Sequence, residues 1–201
     1  MRGTHTGSGT AAAAMLKHVF LTGSPGVGKT TLVQKVCESM VSGGVSVQGF
    51  YTEELRERGR RVGFDAVTLT GERGALSRVG NEATAGRCEY RVGQYVVDLS
   101  SFESLVLPLF RNMDGGGGSV FVIDEIGKME LFSQAFIRAV QQTLDSSTCS
   151  ILGTIPVPKG KPLGLVEEIR ARKDVKVFMV TKENRDALTD KIVSALKECL
   201  K

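Results

Sequence analysis

The run Gly23-Ser24-Pro25-Gly26-Val27-Gly28-Lys29-Thr30-Thr31 fits G-x-x-x-x-G-K-[ST] from Gly23 to Thr30, and no other stretch constrains the fold as strongly. Such a loop works only between a strand and a helix. Gly23, Gly26 and Gly28 let the backbone take φ > 0 and turn N–H groups inward around phosphate oxygens. The helix that follows aims its unpaired N–H groups and positive dipole end at the same anion. Lys29 is then placed to reach the β- and γ-phosphates, and the Thr30 hydroxyl to ligate Mg²⁺. Both flanks agree. Lys17–Leu21 is a short apolar run with β-forming residues, and Leu32, Val33, Val36, Cys37 and Met40 recur at helical spacing until Gly43-Gly44. The order implies a site for a nucleoside triphosphate, lined by residues 23–31.

A second stretch supplies carboxylates. Ser119-Val120-Phe121-Val122-Ile123-Asp124-Glu125 is an apolar strand of the kind a parallel sheet buries on both faces. It ends in two acids at the carboxyl edge, where open α/β sheets bind ligands. This is a Walker B pattern. Asp124 is expected to hold the Mg²⁺ through water, and Glu125 to act as general base or orienter for an attacking water.

Strands alternating with helices along the rest of the chain predict an α/β fold of P-loop type. It is a three-layer sandwich with a mostly parallel sheet, helices on both faces and an added β-hairpin. The hairpin is read from Val45–Thr52 and Val62–Leu69, with Glu53–Arg61 as its charged turn. Its tip carries Arg56, Arg58, Arg60 and Arg61; Arg60, Arg61 and Lys128 are candidates for an arginine-finger-like cation facing the γ-phosphate. Gly71–Arg91 reads as a loop region with short extended pieces, followed by a strand at Gln94–Leu99. Ser101 is expected to cap a helix through Phe102, Leu105, Val106, Leu109 and Phe110, which Pro108 should kink or shorten. Asp114–Gly118 is a flexible connector. Leu131, Phe132, Ala135, Phe136, Ala139, Val140 and Leu144 form the stripe of one core-facing helix. A strand at Thr148–Ile155, a basic loop at Pro156–Pro162, a short helix through Ile169, a strand at Val175–Val180 and a closing helix complete the chain.

With 201 residues, 41% of them hydrophobic, the chain has the composition of a globular protein, and a net charge of +4 from interspersed residues gives no argument for nucleic-acid binding. It lacks an apolar run long enough to span a bilayer and shows no secretory signal. Cys37, Cys88, Cys149 and Cys199 are scattered, the pattern of reduced thiols in an intracellular protein, read as cytoplasmic with a nuclear location left open. His18, inside the first strand, reads as structural. Residues 1–14 resemble an appended leader, with 15–201 as a single domain acting as a monomer.

Base selection is addressed by two further runs. Asp124-Glu125-Ile126-Gly127 satisfies D-x-x-G, and Thr181-Lys182-Glu183-Asn184 stands where guanine-reading proteins carry [NT]-K-x-D. In those proteins the Asp accepts both guanine N–H groups. Asn184 offers a single acceptor oxygen and adds donors, so a site holding the base near Asn184 and Arg185 should discriminate weakly. The simpler alternative is that Thr181 caps the last helix.

Together with Gly49–Glu54, Val120–Leu131 and Gly153–Pro156, these segments resemble the cancer-related nucleoside-triphosphatase family from about Met15 onward, the Asp124–Leu131 run most distinctively. The resemblance implies slow, Mg²⁺-dependent hydrolysis of several nucleoside triphosphates to diphosphate and phosphate, with an activating partner as a further possibility. A small-molecule or nucleotide kinase and a nucleotide-dependent binding switch remain as alternatives, since both share the loop.

Overall fold

The computed structural model describes residues 15–80, 90–113 and 117–201. After β1 (His18–Thr22) and the P-loop comes α1 (Lys29–Ser42), then β2 (Val47–Glu57), β3 (Arg60–Thr68) and β4 (Arg73–Val79). A short hairpin, β5 (Arg91–Val92) and β6 (Tyr95–Val97), precedes α2 (Leu99–Arg111). Three strand–helix repeats follow: β7 (Val120–Asp124) with α3 (Gln134–Asp145), β8 (Ser150–Ile155) with α4 (Gly164–Ala171), and β9 (Val175–Met179) with α5 (Arg185–Cys199). One sheet joins all nine strands in the order β5-β6-β4-β3-β2-β7-β8-β1-β9. The five strands from β2 to β9 in that order are parallel neighbours, and the other four add an antiparallel wing.

Apolar runs without polar alternation fit this sheet because each central strand feeds two cores. Val19 and Leu21 of β1 enter the core under α1 and α5, while Phe20 enters the one under α2, α3 and α4. Val120 and Val122 divide from Phe121 and Ile123 in the same way, and Leu152 from Ile151. On the second face, Phe50, Phe102 and Phe136 meet edge to face at centroid distances of 5.3–6.1 Å. Burying a ring of this size contributes roughly 1.5–3 kcal/mol. The cluster fixes α2 and α3 against β2 and so holds the strand beside the Walker B edge.

The wing departs from the sequence reading in several places. Glu53–Glu57 is strand, not turn, and the turn is only Arg58-Gly59, both with positive φ (48° and 78°) as a primed two-residue hairpin requires. Ion pairs explain the miss: Glu54 binds Arg61 across the hairpin and Arg56 on its own strand, so the charges are paired along the strands rather than solvated in a loop. Arg73–Val79, expected within a loop region, is a strand against β3, held by Arg73 and Arg78 on the buried Asp65 at 3.0 and 2.6 Å. Residues 81–89 of that region, with Cys88, most of the Asp114–Gly118 connector and the leader at 1–14 lie outside the described residues. Because β2 pairs with β7 only as far as Tyr51 opposite Asp124, the hairpin projects past the sheet's carboxyl edge, by roughly 20 Å at the usual strand rise.

Two helix starts also differ, and α2 runs on past its proline. Asp98, not Ser101, caps α2, its carboxylate accepting the Ser101 N–H at 3.0 Å. Pro108 neither breaks nor ends α2, which continues to Arg111 because Phe110 packs on Phe121 and Phe136 beyond the proline. Leu131 and Phe132 fall in a separate 3-10 turn (Glu130–Phe132), and α3 starts afresh with Ser133 capping the Phe136 N–H.

His18 is structural, as expected: fully buried, its Nδ1 accepts the Ile151 N–H at 3.0 Å and its Nε2 donates to the Leu144 carbonyl at 2.9 Å. Burial holds its pKa below 6.5, so the folded state keeps the neutral ring. The unfolded chain takes up the proton first as pH falls below 6.5, and the contribution of His18 to stability is therefore present above that pH and lost below it. His18→Ala strands two buried backbone groups and is expected to cost about 2–4 kcal/mol. It should also flatten the acid dependence of stability, which urea unfolding above and below pH 6.5 measures.

Candidate active site

The P-loop leaves β1 at Thr22. Gly26 and Gly28 have φ of 79° and 99°, as the phosphate-cradling curl requires. Gly23 does not take positive φ. It is needed because a Cβ there would strike the Val180 carbonyl, in the chain that leaves β9 alongside β1. Gly28 forms the start of α1 without any side-chain cap, and no acid occupies the first turn, so the helix keeps its N–H groups available for an anion. Lys29 lies back across the loop, donating to the Gly23 carbonyl at 2.6 Å and the Ser24 carbonyl at 3.3 Å.

Asp124 ends β7, two strands from β1 with β8 between them. It is buried, and its Oδ1 accepts the Thr154 hydroxyl of β8 at 2.6 Å. Burial raises its pKa, while Thr154, the Thr30 hydroxyl and the Lys29 ammonium favour the ionised form. Its second oxygen, Oδ2, is buried without a partner of hydrogen-bonding geometry among the described residues. An ionised oxygen left so is costly unless something cationic completes it. The site therefore suits a divalent ion that uses one carboxylate and one hydroxyl and keeps its other positions for water and phosphate oxygens. Among the described residues no group of three or more His, Cys, Asp or Glu side chains is set to hold a metal.

Glu125 follows, half-buried. Burial and the charge of Asp124 push its carboxyl up, and Lys29 draws it back. The chain beyond it is tied to β8 by the Ile126 N–H on the Thr154 carbonyl at 2.9 Å. Lys29, Thr30, Asp124 and Glu125, which the sequence brought to one chemistry from two distant segments, thus share one electrostatic environment. Gly127 sits in the turn directly after them, its N–H on the Glu130 carboxyl at 3.1 Å.

The segment expected near the base lies beside the P-loop. Arg185 donates to the Val27 carbonyl at 3.0 Å and lies against Gly28. Thr181 and Asn184 close on each other, the Thr181 N–H on Asn184 Oδ1 at 2.8 Å and the Asn184 N–H on Thr181 Oγ1 at 3.2 Å. This is the reciprocal pattern of a capping box just ahead of α5. Asn184 Nδ2 also donates to the Met179 carbonyl at 2.8 Å, so both ends of the amide are engaged within the loop. The cations considered for the γ-phosphate, Arg60, Arg61 and Lys128, are all exposed, and Arg61 is held by Glu54 at 2.8 Å.

Thr154 and Glu130 were not singled out from the sequence. Thr154 gives no signal until β8 is known to lie beside β7. Glu130 stands in Lys128-Met129-Glu130-Leu131, where an acid resembles a solvated turn charge, yet it is buried.

The family model described as NTPase matches residues 18–193. The chain is 66% identical over 190 residues to the human protein "Cancer-related nucleoside-triphosphatase", covering 93% of this chain and 100% of that one. In structure it is similar to the solution structure of a human cancer-related nucleoside triphosphatase, with a TM-score of 0.80 and 67% identity over 90% of this chain and 97% of that one. It is also similar to the crystal structure of THEP1 from the hyperthermophile Aquifex aeolicus, with a TM-score of 0.75 and 35% identity over 90% of this chain and 99% of the other.

Proposed function

The chain belongs to the NTPase family and is a nucleoside-triphosphatase, and from that premise we propose that it hydrolyses several nucleoside triphosphates, ATP and GTP among them, to diphosphate and phosphate with Mg²⁺. The observation that supports this reading is Asp124, buried at the carboxyl end of β7 with Oδ1 on the Thr154 hydroxyl and Oδ2 without a partner among the described residues, two strands from the strand that feeds the P-loop. The loop N–H groups and Lys29 take up charge on the transferring phosphoryl group. Thr30 and Asp124 would hold Mg²⁺, which when bound neutralises phosphate charge. Glu125 orients a water for in-line attack and accepts its proton. Residues 15–201 act as one domain, and as a monomer in the cytoplasm.

The Thr181–Arg185 segment holds the base loosely. Asn184 uses its amide to shape the loop, so no paired acceptor is left to select guanine. Steady-state phosphate release from each common triphosphate, with Mg²⁺ and with a chelator, tests the proposal. Turnover is expected with purine and pyrimidine nucleotides alike and to vanish with chelator. A GTP/ATP ratio in kcat/KM above roughly a hundredfold would overturn the loose-base reading. Labelled γ-phosphate appearing on an added acceptor, in place of free phosphate, would make the protein a kinase instead.

A further inference from the structure

Behind Glu125 stands a carboxyl that the reaction as described does not use. Glu130 is 4% exposed, and its Oε2 accepts the Gly127 N–H at 3.1 Å. Glu125 reaches the same residue: a Cβ on Gly127 would lie 2.5 Å from Glu125 Oε1 and 3.2 Å from Glu130 Oε2. Further bonds close the turn, the Leu131 N–H on the Gly127 carbonyl at 3.0 Å and the Ser133 N–H on the Glu130 carbonyl at 3.1 Å. Ser133 in turn caps α3 and donates to Glu103 of α2 at 2.6 Å.

For stability alone this is a poor use of the position. A buried acid near two others costs more than an apolar side chain of the same volume. Burial and the nearby Glu125 charge push Glu130 up to about 8. What the side chain does make is a bond to the Gly127 N–H, in a turn where a Cβ on residue 127 would also meet the end of the Glu125 side chain.

We infer that Glu130 is a positioning residue for hydrolysis: by holding the Gly127 N–H it fixes the turn that aims Glu125 at the attacking water. This rests on the role proposed for Glu125. It requires an acceptor at position 130 rather than a charge, so a glutamine should serve and an apolar residue should not.

The experiment compares Glu130→Gln with Glu130→Met, each alone and combined with Glu125→Gln. Methionine fills the same space and suits the buried site, so the fold survives while the acceptor is lost; melting temperatures check this. Glu130→Met is expected to lower kcat about 10²-fold with KM little changed, the size of effect that a small misplacement of a catalytic group produces. Glu130→Gln should stay within about threefold of the parent, and Glu130→Met should add less than about twofold in the Glu125→Gln background, because the two act as one unit. Full activity in Glu130→Met, equal losses in both single variants, or losses that multiply with Glu125→Gln would each overturn the inference. Retained turnover in Glu125→Gln alone would remove the role of Glu125, and this inference with it.

Discussion

Lys29→Ala is expected to lower kcat/KM by about 10²–10³-fold, the usual result of deleting one preorganised charge-stabilising donor. The structure explains why so little replaces it. The ammonium lies over the mouth of its own loop, on the carbonyls of Gly23 and Ser24, ready to exchange those two contacts for phosphate oxygens. Arg185 is committed to the Val27 carbonyl and Arg61 to Glu54. The uncapped N-terminus of α1 still attracts an anion, so binding should weaken without disappearing. Lys29→Arg should not rescue, since the planar fork is larger and reads phosphate in a different geometry. Nucleotide titration followed by steady-state kinetics separates the two effects. A kcat/KM within about tenfold of the parent would show that the loop backbone suffices and that Lys29 is no part of the catalytic charge balance.

The parallel core was legible in the sequence because its physics is local. Strands buried on both faces must read as unbroken apolar runs, and Val120–Ile123 and Val19–Leu21 do. The P-loop was legible because its motif is local, and Gly26 and Gly28 take the positive φ it expects, whereas Gly23 answers to the Val180 carbonyl beside it. The wing was not. Its strands carry Glu53, Glu54, Arg56, Arg73 and Arg78, charges that look like loop until ion pairing shows each acid beside an arginine. Thr154 was hidden for another reason, since the bond to Asp124 depends on which strands are neighbours. Asn184 was read for what its side chain lacks, an acceptor pair. The structure adds that its amide is already occupied inside its own loop.

Glu125→Gln is expected to abolish most hydrolysis, by about 10²–10⁴-fold in kcat, and to leave nucleotide affinity nearly intact. The reasoning is one of environment. A carboxylate of ordinary pKa is a weak base toward water, and burial with the Asp124 charge moves Glu125 upward, toward the operating pH, while Lys29 keeps the ionised form accessible. Glutamine has the same shape and still fits over Gly127, so the turn and the Glu130 contact should persist. What disappears is the ability to take a proton. An interaction made only on the way to the transition state lowers kcat and kcat/KM together, whereas loss of ground-state binding would raise KM alone. A stable complex of Glu125→Gln with Mg²⁺ and triphosphate, formed at parental affinity and turning over very slowly, is therefore the expected signature. Parental kcat in this variant would mean that the water is activated by the γ-phosphate itself, with the acid after Asp124 serving only to shape the site.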